Sequence, residues 1–121
     1  MNETFSRDGD ALVRNVWPKR GKPYEHVCWL SAYKKVLRAI DDAEGRSFTG
    51  ADIVAASDQP HTQVYTALAF LKERGCIISA RRRRSVVPTI FGVDLDGMIE
   101  WHALIHIRCP SRFRPSPEAS S

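Results

Sequence analysis

The sequence predicts a mainly helical α+β domain carrying one small β-hairpin, and three observations lead to that class. Val64, Ala67, Leu68 and Leu71 recur at i, i+3, i+4 and i+7, which places them on one face of a helix at about 100° per residue. Just upstream, Thr49 and Asp52 open a shorter apolar stretch of Ile53, Val54 and Ala56, and Ser57-Asp58-Gln59-Pro60 closes it. Downstream, two β-rich runs, Cys76-Ile77-Ile78 and Val86-Val87-Pro88-Thr89-Ile90-Phe91-Gly92-Val93, flank four consecutive arginines.

In chain order, residues 1–23 show no sustained helical or strand period, and Gly9, Pro18, Gly21 and Pro23 interrupt them. They are expected to be a flexible arm. Arg14, Lys19, Arg20 and Lys22 suit a phosphate backbone, whereas Trp17 with Val13 and Val16 suits docking on the body or on a second subunit. A long helix is expected from about Tyr24 to Ala43, with Trp29, Tyr33, Val36, Leu37 and Ile40 on its apolar face, ending at Glu44-Gly45. Thr49 and Asp52 form a capping pair that satisfies the first orphan amides of the next helix. Pro60 disfavours helix at Gln59 and suits a helix start itself, so a second helix begins there and runs to Arg74-Gly75. The β-rich runs around the arginines form a hairpin whose second strand, holding Pro88, lies at a sheet edge or bears a bulge. Residues 94–107 have two readings. A helix capped by Asp94 or Asp96 aligns Met98, Trp101, Leu104 and Ile105, and its Met, Glu, Ala and Leu content favours it. A turn at Asp96-Gly97 instead makes Ile99, Trp101, Ala103, Ile105 and Ile107 an alternating strand. Residues 108–121, rich in proline and serine, are expected to be a disordered tail.

His61-Thr62-Gln63-Val64-Tyr65-Thr66-Ala67-Leu68 and Leu71-Lys72-Glu73-Arg74-Gly75-Cys76-Ile77 resemble, without a gap, the second helix and following strand of winged helix-turn-helix bacterial transcription regulators. The resemblance extends from about Trp29 to Ile105 and is closest to the arsenic-repressor-like and multiple-antibiotic-resistance-repressor-like groups. It implies a winged-helix domain over residues 24–107, with Phe48 in the short linking strand, the arginine hairpin as the wing, and a C-terminal helix that pairs subunits. A homodimer on double-stranded DNA is the expected assembly, with Met98, Trp101 and Ile105 as its seam.

Charge placement supports that partner. The 121-residue chain carries +4, yet residues 72–84 alone hold six basic side chains and one acid, a formal +5, so the rest sums to about −1. Like charges this dense repel unless a partner neutralises them. Arg81, Arg82, Arg83 and Arg84 therefore read as wing residues on phosphates or in a narrow minor groove. On the second helix, Thr62, Gln63 and Thr66 read as base contacts, glutamine because its amide pairs with adenine and threonine because it donates, accepts or touches a thymine methyl. His61 and Tyr65 read as phosphate contacts on the helix flank.

Other chemistries find less support. His102, His106 and Cys109 have helical metal-ligand spacing, but Ser47 to Ala56 lacks the cysteine-rich box of the metal-sensing relatives, so no metal and no cofactor is expected. No nucleophile elbow, phosphate-binding glycine loop or His-Glu-x-x-His motif occurs, and no enzymatic activity is expected. Three widely spaced cysteines and the absence of an apolar run of membrane-spanning length predict a cytoplasmic, nucleoid-associated protein with no membrane partner. The alternatives are a winged helix used for protein contact in a larger assembly and a plasmid or phage replication or packaging factor on the same fold.

Overall fold

A computed structural model of the chain describes residues 2–81, 84–88 and 92–104. The architecture is α+β. Three antiparallel strands, β1 (Asn2–Asp8), β2 (Ala11–Trp17) and β3 (Tyr24–Trp29), form a meander with β2 in the centre. Three helices follow, α1 (Leu30–Asp41), α2 (Gly50–Ser57) and α3 (His61–Glu73). A short hairpin of β4 (Ile78–Ser79) and β5 (Ser85–Val86) comes next, then α4 (Asp94–Ala103).

The meander corrects the expectation for the N-terminus. Residues 1–23 are not a flexible arm: their described part supplies β1, β2 and the turn into β3, and Tyr24–Trp29, expected as the first turns of a long helix, is the third strand. The register runs Phe5 opposite Arg14 opposite His26, and Arg7 opposite Leu12 opposite Cys28. Opposed residues share a face, so Phe5, Leu12 and Cys28 meet the helices together, and all three belong to the common core. β2 escaped period-two reading because Ala11, Leu12 and Val13 are all buried, which erases the alternation of a half-exposed strand. The Asp8-Gly9-Asp10-Ala11 joint was the available clue. Gly9 adopts a positive φ of 58° in a two-residue hairpin loop, a turn that glycine enters without steric cost.

The helices otherwise follow their sequence signals. Tyr33, Val36, Leu37 and Ile40 are buried along α1. Thr49 Oγ1 accepts the Asp52 N–H at 3.0 Å while the Asp52 carboxylate accepts the Thr49 N–H at 2.9 Å, a reciprocal capping box at the start of α2. That pairing, first through the Thr49 backbone and then its side chain, holds the Asp52 carboxyl below its ordinary range. Asp58 leaves α2 in the left-handed conformation, and Pro60 precedes the first turn of α3.

Residues 94–103 are the helix rather than the strand. α4 has no cap of its own side chains; Asp41, at the end of α1, accepts the N–H groups of Val93 at 2.6 Å and Asp94 at 3.1 Å. Tyr33 donates its hydroxyl to the Gly97 carbonyl at 2.6 Å, and its ring packs on Trp101 at 4.9 Å. Burial holds the Tyr33 hydroxyl and the Cys28 thiol protonated far above their usual ranges, and it pushes the Cys76 thiol up to about 11. Among the described residues no helix is long and apolar enough to cross a membrane.

Candidate nucleic-acid interface

α3 carries the residues that the sequence assigns to base and phosphate contact, but only part of it is exposed. Val64, Ala67, Leu68 and Leu71 face the helical core as their spacing requires. The adjoining flank is also covered, because the N-terminal sheet lies against it. Phe70 meets Phe5 at a ring separation of 5.4 Å. Gln63 Oε1 accepts the backbone N–H of Trp29 at 3.0 Å, satisfying a donor at the last residue of strand β3. What remains exposed is a strip of His61, Thr62, Tyr65, Lys72 and Glu73, with Ala69 half-buried among them.

Two expected base-reading residues are therefore corrected. Thr66 has 0 % exposure and donates its hydroxyl to the Thr62 carbonyl at 2.7 Å, so it is a packing residue of the sheet-facing flank. Gln63 is half-buried and its carbonyl oxygen is committed to Trp29, which leaves no free amide edge for bidentate pairing. Their positions were hidden in the sequence because the sheet that covers them comes from the segment read as an arm. Gln63→Ala is expected to lower folding stability by about 0.5–1.5 kcal/mol, the usual worth of one hydrogen bond, without altering any preference among DNA sequences. Denaturant melts together with competition binding against two unrelated duplexes check this, and a changed sequence preference at unchanged stability would return Gln63 to the base-reading set.

Thr62, His61 and Tyr65 keep accessible positions. The His61 and Tyr65 rings stack at 4.2 Å and 30°, pre-ordering both at the first turn of α3. The Tyr65 ring also lies over Gly50, where a β-carbon would collide with it, so the first residue of α2 is small to let the two helices close.

The hairpin is anchored rather than free-standing. Phe48 and Ser85 exchange both backbone hydrogen bonds, at 2.8 and 2.7 Å, which joins the residue that precedes the α2 cap to β5 as a third, one-bridge strand. Arg84 locks the same corner: its guanidinium donates to the Ser47 hydroxyl and carbonyl, both at 2.7 Å, and reaches the Asp52 carboxylate at 3.5 Å. Arg84 is thus tied to the protein's own surface, a correction to its reading as a phosphate contact. Arg81 is exposed at the tip, while Arg82 and Arg83 lie outside the described residues. No family model, curated protein or solved structure matches this chain.

The expected subunit seam also needs correction. Trp101 has 1 % exposure and sits in the chain's own core against Tyr33, so it has no surface to offer a partner. Met98 is half-buried against the core, and Ile105 lies outside the described residues. The outer side of α4 instead presents Leu95 and Ile99, an apolar i, i+4 pair that the stripe reading missed by one step around the helix. Among the described residues no cluster of three potential metal ligands forms; His102 is exposed on α4, and His106 and Cys109 lie outside the described residues.

Proposed function

We propose that α1–α3 and the β4–β5 hairpin constitute a winged helix that binds double-stranded DNA in a sequence-dependent way, as a transcriptional regulator. The observation that carries this reading is the reciprocal Phe48–Ser85 pairing. It ties a strand before α2 to the second strand after α3, so that helix, turn, helix and hairpin form one rigid unit with an arginine tip. The exposed strip of α3 supports docking in the major groove, where Thr62 reads base edges and His61, Tyr65 and Lys72 meet phosphates. Arg81 and its neighbours supply backbone affinity from the wing. With Gln63 and Thr66 occupied internally, one subunit has few base-reading groups, which favours a homodimer that reads two half-sites about one helical turn apart. Leu95 and Ile99 are then the seam, because two large aliphatic side chains four residues apart stand exposed on the last described helix.

The test is a titration of labelled random and genomic duplexes at several salt concentrations, with complex mass measured in the same samples. Binding with log Kd rising by about 0.9 per decade of salt for each neutralised phosphate, and two chains per bound duplex, is the expected result. Absence of binding to any duplex at low salt would overturn the reading, and one chain per duplex at saturation would overturn the dimer.

A further inference from the structure

The turn between β2 and β3 is an exposed basic feature outside α1–α3 and the β4–β5 hairpin. It runs Pro18-Lys19-Arg20-Gly21-Lys22-Pro23, three cations and no acid. All three basic side chains are exposed, and none forms an ion pair with a described residue. This loop springs from paired strands. The strands that lead in and out pair in register up to Val16 opposite Tyr24, prolines bound the turn on both sides, and Gly21 takes a φ of 93°. Two large rings stand where the strands give way to the turn, Trp17 46 % exposed and Tyr24 42 % exposed. The Tyr24 ring packs against the His26 ring at 4.9 Å.

Register places the turn at the end of the sheet toward which α3 advances. The N-terminal part of α3 is fixed to the end of β3 by Gln63 on Trp29, and Phe70 meets Phe5, which is level with His26 across the sheet. From Gln63 to Phe70 is about 10 Å of helix, and from Trp29 to His26 is about 10 Å of strand. α3 therefore starts at the Trp29 end of β3 and crosses the sheet obliquely toward Phe5 on β1, advancing toward the end of the sheet where β2 turns into β3. Lys72 is exposed in that last turn, while Arg74, the residue that caps it, pairs with Glu73 at 2.7 Å and lies over the Phe70 ring. The cations of the turn thus lie toward the same end of the sheet as Lys72.

We propose that the β2–β3 hairpin is a second phosphate-binding element, which grips the backbone of the same duplex beyond the C-terminal end of α3 and lengthens the contacted stretch on that side. This rests on the reading of α3 as the DNA-contacting helix. Cations on a turn bounded by prolines and anchored by paired strands lose less freedom when they meet phosphates than those on an open tail, and exposed rings beside them suit the sugar edges that border a backbone. Single-stranded nucleic acid, the other ligand of cation-and-aromatic surfaces, is less well matched. Tyr24 shares the helix-facing side of the sheet with His26 and Cys28, whereas Trp17 is one residue out of phase with that set, so the two rings do not form one stacking platform.

The experiment compares the full chain with the triple substitution Lys19→Ala, Arg20→Ala, Lys22→Ala, and with the charge-keeping triple Lys19→Arg, Arg20→Lys, Lys22→Arg. Nuclease protection and salt titration on one bound duplex are the readouts. The alanine triple is expected to keep the wild-type melting curve, to lower the salt slope by up to about 2.7, and to shorten protection on one side only, while the charge-keeping triple behaves as wild type. An unchanged slope and footprint in the alanine triple, with wild-type protein still binding duplex, overturns this proposal and leaves the function of α3 standing. Loss of single-strand binding with duplex binding intact also overturns it. If the wild-type chain binds no duplex, the reading of α3 fails first.

Discussion

Trp101→Ala is expected to cost about 3–5 kcal/mol of folding stability, because the indole is buried within its own chain and packs on Tyr33, whose hydroxyl holds the backbone of α4 at Gly97. Single domains have only about 5–15 kcal/mol in total, so much of the variant would be unfolded at moderate denaturant. Trp101→Phe keeps an aromatic ring and should lose clearly less. Equilibrium urea unfolding of the three proteins checks this, with the mass of each measured in parallel. A variant that keeps its stability but loses self-association would return Trp101 to a subunit seam and undo the packing described for α4.

The second large effect is expected at the hairpin tip. Replacing Arg81, Arg82 and Arg83 together with alanine should weaken binding to every duplex by about a hundred-fold or more near 0.1 M salt, and reduce the salt slope by up to about 2.7, if all three neutralise phosphates. The ranking of preferred over random sequences should stay the same, since a cation on a phosphate carries no base information. Arg84→Ala belongs to a different class. Its guanidinium is engaged with Ser47 and Asp52, so its loss should act by loosening the hairpin from α2. Competition binding at two salt concentrations separates these cases. A triple variant that changes sequence ranking more than affinity would mean that the tip reads bases.

The elements that could be read from sequence are those whose signals are local. The capping pair Thr49 and Asp52, the break at Asp58 to Pro60, the stripe of Val64, Ala67, Leu68 and Leu71, and the glycine stop at Gly75 each arise within a few residues of backbone, and each stands in the structure. The meander was missed for a non-local reason. Its central strand is buried on both sides, and its outer strands mix Phe5 and Cys28 with charged neighbours, so no single strand displays a period on its own. That one omission propagated to the site. Spacing alone gives Thr66 and Gln63 the same standing as Thr62 on the polar side of α3, and only the presence of the sheet divides that side into a covered flank and a free strip. Likewise, α4 was recognisable as a helix, but which of its apolar residues turn inward depends on Tyr33, far away in the chain.

The docking of α3 on the meander also has a consequence for synthesis. The sheet is complete once Trp29 has emerged, yet the cover of its helix-facing side chains Phe5, Leu12 and Cys28, begun by α1, is not finished until α3 has followed through Glu73. At about 5–20 residues per second, that interval lasts roughly two to nine seconds. During it the nascent chain presents an apolar face and two unpaired strand edges, the features that recruit holding chaperones or seed association between neighbouring ribosomes. Ribosome-bound chains stalled with the sheet exposed but α3 still in the exit tunnel should therefore crosslink to a holding chaperone more strongly than chains stalled after α3 has cleared it. Equal crosslinking at the two stall points would mean that the meander stays unformed until its cover arrives.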